Sequence, residues 1–286
     1  MEYVTTVKSR ELGEGLRRVL AAAGLSGKEV ADQLGWTPPD VSKMLNGRRA
    51  IRETQVALLL GICKVRGAEQ RRLLALCREA NRPGWYQQHG SHLPLQLRTL
   101  LDHEDKATAI SAFAGNLLPG ALQTADYARA VISRIVNVPA EEVDERVAAR
   151  VARSAIFNRP AGFTYFVHEF VLRLPVGGAE VMSDQLHHLL RMSVRPRISL
   201  RVVPTSVGAH AGIVGSFIFM EFAEIKPVVY LESETTAAFL EEDEEIRAYR
   251  RIIGSLAGTA LSEGQSRELI SRVALEQFDL GEDQHG

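Results

Sequence analysis

LSGKEVADQLGWTPPDVSKMLNGRR, the stretch from Leu25 to Arg49, reads as two short helices joined by a tight turn at Leu34-Gly35-Trp36. Each helix opens on the same device. Ser26 and Thr37 stand at N-cap positions, where a hydroxyl accepts from the backbone N–H three residues on. Glu29 and Asp40 occupy that third position and can reach back, Asp40 on the shorter arm. Leu25/Val30 and Trp36/Val41 have the spacing of hydrophobic staples. Pro38 falls at the first helical position, where its missing N–H costs nothing. Pro39 still lies in the first turn, whose N–H groups have no intrahelical partner.

Two capped helices around a short turn predict a helix-turn-helix. The second helix, about Pro38 to Leu45, is the one expected in the DNA major groove. Val41, Met44 and Leu45 form its apolar side, and Ser42, Lys43 and Asn46 lie on the other. Asn can contact adenine through two bonds, Lys can contact guanine, and Ser is permissive. Arg48 and Arg49 lie past the helix end and suit phosphates. The candidate double-stranded DNA contacts are therefore Thr37, Pro38, Ser42, Lys43, Asn46, Arg48 and Arg49. A helix-turn-helix kept for protein contacts remains the alternative.

This part of the chain, about Ser9 to Val65, resembles the lambda-repressor-like, Xre-type DNA-binding domain. The resemblance rests on RRVLAAAGLS, EVADQLG, VSKMLNGRR and LLLGICKV. Gly27 stands where many members carry a phosphate-contacting Gln, and Met44-Leu45 where they often carry Ile-Glu.

The 286 residues are 45% hydrophobic, ordinary for a globular chain and enough for two domains. A net charge of −1 predicts no polyanion partner from the whole. Its distribution does: residues 1–80 hold 14 Lys and Arg against 9 Asp and Glu, and residues 81–286 hold 20 against 26. The basic excess coincides with the helix-turn-helix, as nucleic-acid binding requires. The acidic remainder would repel DNA and suits sensing, dimerisation or partner binding. Cys63 and Cys77 have no metal-ligand spacing and fall in predicted helices, so free buried thiols are expected. With no signal-peptide pattern and no membrane-length apolar run, a cytoplasmic location is expected.

Helical spacing marks further helices from Ser9, over Glu53–Lys64 and over Ala68–Ala80. Residues 82–93, RPGWYQQHGSHL, read as a connection, and helical spacing resumes over 94–110. Ala112 to Gly120 reads as extended or turn-like. Strands are expected at Phe163–Glu169, Ile198–Pro204, Ser216–Phe222 and Val228–Glu232, interleaved with helices. The predicted fold is thus a mostly α, lambda-repressor-like helix-turn-helix domain over 1–81, a connecting segment with a helix over 82–111, and a mixed α/β domain with about four strands over 112–286.

No nucleophile elbow, phosphate loop or Cys/His set is present, so no catalytic residue, cofactor or metal is assigned, and the chain reads as no enzyme. His89 and His92 have no carboxylate or thiol close by. Asp184 and His188, four apart on a predicted helix, could share a metal, but a solvated helical face explains them as well. His210 sits in the glycine-rich loop SVGAHAGIVG, where glycines let backbone approach a ligand closely; it is the one candidate ligand-binding residue here.

The C-terminal part resembles that of actinobacterial Xre-type regulators of the WhiJ-like group. The likeness is carried by LPGALQTADYARA from Leu118, LRLPVGG from Leu172, and Val203-Pro204 through Ala209-His210-Ala211-Gly212. It implies a transcription regulator, often encoded beside a small acidic partner protein in an antitoxin-like arrangement. The combined expectation is a sequence-specific DNA-binding repressor acting as a homodimer, whose C-terminal domain receives a small partner protein or ligand. Two alternatives stand beside it: an antitoxin-like protein that mainly sequesters its partner, and a small-molecule-binding protein using its helix-turn-helix for protein contacts.

Overall fold

The computed structural model describes residues 5–81 and 93–278. The chain divides into two compact units, Met1–Lys106 with Ala223–Ile225, and Ala107–Phe222 with Lys226–Gly286. Trp85, Tyr86, His89 and His92 of the expected connection lie outside the described residues.

The first unit is helical: α1 (Val7–Ala22), α2 (Gly27–Leu34), α3 (Pro38–Leu45), α4 (Glu53–Ile62), α5 (Ala68–Ala80) and α6 (Leu95–Lys106). Leu12, Leu16 and Val19 of α1 meet Val30, Met44, Val56, Leu59, Leu60, Leu73 and Cys77 in one buried cluster. Each such side chain contributes roughly 1.5–3 kcal/mol over its exposed state. Cys77 is buried and Cys63 partly so, both as free thiols. The helix that sequence spacing places in a connection, α6, packs in this unit. Its Asp102 Oδ2 accepts from the Val7 N–H at 2.5 Å, pairing a first-turn donor of α1 that has no intrahelical partner.

The second unit is built on a six-stranded sheet in the order β3-β2-β1-β4-β5-β6. Its strands are β1 (Ala109–Ala114), β2 (Gly162–His168), β3 (Ile198–Val203), β4 (Phe217–Glu221), β5 (Val228–Glu232) and β6 (Ala237–Leu240). β1, β2 and β3 run parallel; β4, β5 and β6 continue from β1 antiparallel. The helices are α7 (Ala125–Ile132), α8 (Val143–Ala152), α9 (Glu169–Arg173), α10 (Ala179–Ser193), α11 (Asp243–Thr259) and α12 (Glu263–Val273). Both faces of the sheet are covered. Phe113, Phe166, Phe217 and Phe219 pack on Ile246 and Leu256 of α11. On the opposite face, Phe163 and Tyr165 meet Phe157 edge-on, with ring centroids 4.9 and 6.1 Å away.

The mixed α/β class matches expectation, while six strands replace the expected four. The two added strands hide for different reasons. β1, AISAFA, is the central strand, covered on both faces, so it shows no polar alternation; its start reads with the preceding helix and its end as extended or turn-like. β6 is four residues long, at the sheet edge, and runs into the acidic run that opens α11. Glu169, expected as the last residue of a strand, instead begins α9, with His168 as its cap.

Candidate nucleic-acid interface

α2 and α3 fold from their own caps. The Ser26 hydroxyl accepts from the Glu29 N–H at 3.2 Å, and the Glu29 carboxylate accepts from the Ser26 N–H at 2.7 Å. That backbone bond holds the Glu29 carboxyl below its usual pKa. Gly35 ends α2 in the left-handed conformation, φ +68°, while the Trp36 N–H reaches back to the Ala31 carbonyl at 2.9 Å. Thr37 caps α3 through the Asp40 N–H at 3.3 Å. Asp40 does not close the second half of the box: its carboxylate accepts from the Thr37 hydroxyl at 2.9 Å and pairs with Arg49 at 2.7 Å.

The position of α3 is fixed against α1. Gly47, just past the helix, takes φ +63°, and a Cβ there would lie 2.6 Å from the Ser9 backbone. Only glycine allows that approach, and across it the Ser9 hydroxyl donates to the Gly47 carbonyl at 2.9 Å. Val41 and Met44 are buried, so the opposite side of α3 faces solvent.

The seven residues expected at DNA are gathered along α3 and just past its end, in three different states. Thr37, Pro38, Ser42, Lys43 and Arg48 are exposed. No ion pair or side-chain hydrogen bond holds Lys43 or Arg48 among the described residues. Ser42 makes only a 3.5 Å contact from the Asn46 amide. Asn46 is the C-cap, and its Oδ1 accepts from Arg17 Nη2 at 2.5 Å. Arg49 is half-buried and engaged by Asp40. Arg17 of α1 is the addition that sequence reading misses. It is exposed, pairs with Glu14, and places a guanidinium beside Asn46 across 29 residues of sequence, which only the tertiary packing reveals.

The remaining candidates lie in the second unit. Asp184, His187 and His188 are on α10, where the His187 Nδ1 is 2.8 Å from the Ser183 carbonyl. Burial, and then Arg191, lowers the pKa of His188. Among the described residues no group of three or more His, Cys, Asp or Glu could hold a metal. His210 lies between β3 and β4, its ring 5.3 Å from the rings of both Phe113 and His168. No described helix is long and apolar enough to cross a membrane.

Comparison with known families bears on both units. Residues 11–74 match the model of a helix-turn-helix domain, which supports a DNA-binding regulator. Residues 97–272 match the model described as a domain of unknown function (DUF5753). No match to the chain was found among curated proteins or among solved structures. The second match spans more than half of the 286 residues and covers the whole sheet and the helices on both its faces: the chain belongs to the DUF5753 family, with a helix-turn-helix domain at its amino-terminal end.

Proposed function

We propose that this chain is a sequence-specific transcriptional regulator, a repressor of the WhiJ-like, Xre-type actinobacterial group, and not an enzyme. It works in the cytoplasm as a homodimer, because one short recognition helix reads only a few base pairs and a two-fold operator doubles that. The second unit receives the signal, as a small partner protein or a ligand.

One observation carries the reading. The outer side of α3 presents Ser42 and Lys43 to solvent, with Arg48 beyond, and the fold leaves the two cationic side chains unused among the described residues. Cations spent on fold stability would be paired; these are available to phosphates and base edges. The basic balance of residues 1–80 supplies the matching long-range attraction.

Genome-wide mapping of binding sites of the tagged protein gives the operator and its symmetry. On that operator, Lys43→Ala with Asn46→Ala removes discrimination against random DNA in a gel shift while the helical circular-dichroism signal stays. Unchanged discrimination overturns the assignment of α3 as reader. Affinity falls steeply with salt through counterion release; a flat salt response points to protein contacts instead.

A further inference from the structure

The chain returns repeatedly to one edge of the second sheet. β1, β2 and β3 all end there, and β4 begins there, since Phe113 pairs with Phe217 in antiparallel register. The strand order makes β1 the point of reversal: the chain runs outward from β1 to β2 to β3, then crosses back to β4 on the other side of β1. The crevice at the carboxyl ends of parallel strands, at such a reversal, is where open α/β sheets hold ligands.

Two histidines meet at this edge. His168 ends β2 and His210 lies in the crossing connection; their rings stack 5.3 Å apart at 22°. The backbone settles the proton position in both rings. His168 Nδ1 accepts from the Phe170 N–H at 3.2 Å, and His210 Nδ1 accepts from the Gly212 N–H at 3.1 Å. A neutral ring whose Nδ1 accepts must carry its hydrogen on Nε2. Burial, and then the neighbouring His168, holds the His210 pKa below its usual value, which keeps that ring neutral near pH 7. Each ring thus carries its hydrogen on Nε2, with no protein acceptor for either among the described residues.

The loop is shaped to hold His210 there. A Cβ on Gly212 would lie 2.7 Å from the Phe113 ring, so glycine lets the connection lie flat on that ring. Glu169 ties the start of the same connection to α9, accepting from both the N–H and the hydroxyl of Thr205 at 3.0 Å. The edge is also apolar. Leu117 after β1, Phe170 after β2, and Ile213 and Val214 before β4 are all exposed, Val214 at 97%.

We propose that His168 and His210 form a ligand site at the carboxyl edge of β1–β3, which takes an acyl compound: a carbonyl or carboxylate oxygen on the two Nε2–H groups, with an apolar chain over Phe170, Ile213 and Val214. This deepens the regulator reading by giving the second unit its small molecule, and rests on that reading for its biological sense alone. Metal binding through Nε2 would need the hydrogen on Nδ1, where each ring already faces a backbone N–H donor. The tautomer therefore selects an oxygen acceptor over a cation.

The test uses the full chain labelled with 15N-histidine, without DNA, so its outcome is separate from that of operator binding. Long-range 15N spectra should show both rings as Nε2–H tautomers, assigned by His168→Gln and His210→Gln. Octanoate and octanamide are the probes, and whichever binds states the charge of the natural acceptor. Binding should shift both histidine signals with a Kd of about 1 mM or tighter. His210→Phe, which keeps an aromatic ring on Phe113, should weaken it about tenfold, and His210→Gln, which restores an N–H donor, should recover part of the loss. An Nδ1–H tautomer, no shift with either probe, equal binding by His210→Phe, or stoichiometric Zn2+ capture by the two rings each overturns the proposal.

Discussion

Arg10 Nη1 lies 3.0 Å from Nε2 of His103, and this contact between α1 and α6 fixes the charge of a ring with no solvent exposure. His103 Nδ1 is 2.7 Å from the Thr99 carbonyl and must donate to it, which leaves Nε2 to accept from the guanidinium. The ring is therefore held neutral. Burial first, and then the charge of Arg10, pushes its pKa down to about 3.

The sign of the pH effect follows from that depression. The unfolded ring takes a proton near its ordinary value of 6.5, well before the folded ring does. The stability that His103 contributes is full above pH 6.5 and is lost as pH falls toward about 3. Chemical denaturation of the wild type and of His103→Gln, compared from pH 7 to 4, should show a difference that shrinks as pH falls. A constant difference would mean that the ring does not titrate as the contact requires. The adjacent Asp102 acts with the opposite sign. Burial raises its pKa to about 6 against the pull of the Val7 N–H, so its protonation on acidification relieves a cost of folding. With His103 replaced, that opposing slope should become visible between pH 6 and 4.

Asp102 also pairs a backbone donor. Its carboxylate occupies the Val7 N–H at the start of α1, where Val7 is buried. Asp102→Ala leaves that donor unpaired away from water and should cost about 1–3 kcal/mol in urea denaturation. Asp102→Asn keeps an acceptor and should recover most of the loss. If the two variants are equally unstable, the hydrogen bond to Val7 is not what Asp102 supplies.

These contacts show where sequence reading stops. The helices α2 and α3 are legible because the information is local: Ser26, Glu29, Thr37 and Pro38 set their own backbone, and the turn at Gly35 follows. The grouping of α6 with the helix-turn-helix unit is not legible, since it depends on Asp102 meeting Val7 across 95 residues. The same holds for Arg17 beside Asn46 and for the pairing of Arg49 with Asp40, which sequence reading assigns to DNA phosphate. In the second unit His210 stands out through its glycines, yet His168 gains meaning only when the crossing connection lays one ring on the other.

Gly47 and Gly35 separate two reasons for needing glycine. Both have positive φ, +63° and +68°. A Cβ on Gly35 meets nothing within 4 Å, whereas one on Gly47 falls 2.6 Å from the Ser9 backbone. Gly35→Ala should therefore cost the conformational strain alone, about 1 kcal/mol. Gly47→Ala must in addition push α3 away from α1, so its loss in thermal denaturation should be clearly larger. Operator affinity should fall further in Gly47→Ala than in Gly35→Ala at a temperature where both remain folded. Equal losses would show that α1 does not set the position of the recognition helix.

Arg17 and Arg48 are both exposed arginines near α3, and the proposed regulator reading gives them different parts in DNA binding. Arg17 holds the Oδ1 of Asn46 at 2.5 Å, so it orients an amide that can read a base edge. Arg48 has no such duty among the described residues and lies beyond the helix end, where the proposed reading expects a phosphate contact. Arg17→Ala should release the Asn46 side chain and lower discrimination at one operator base pair by about tenfold, within the range for a single base contact. Arg48→Ala should weaken binding to operator and random DNA alike and reduce the salt slope by about 1. Anisotropy titrations on the operator, a single-base variant and random DNA at several salt concentrations distinguish the two. A uniform loss from Arg17→Ala would make it a phosphate contact and leave Asn46 oriented by α3 alone.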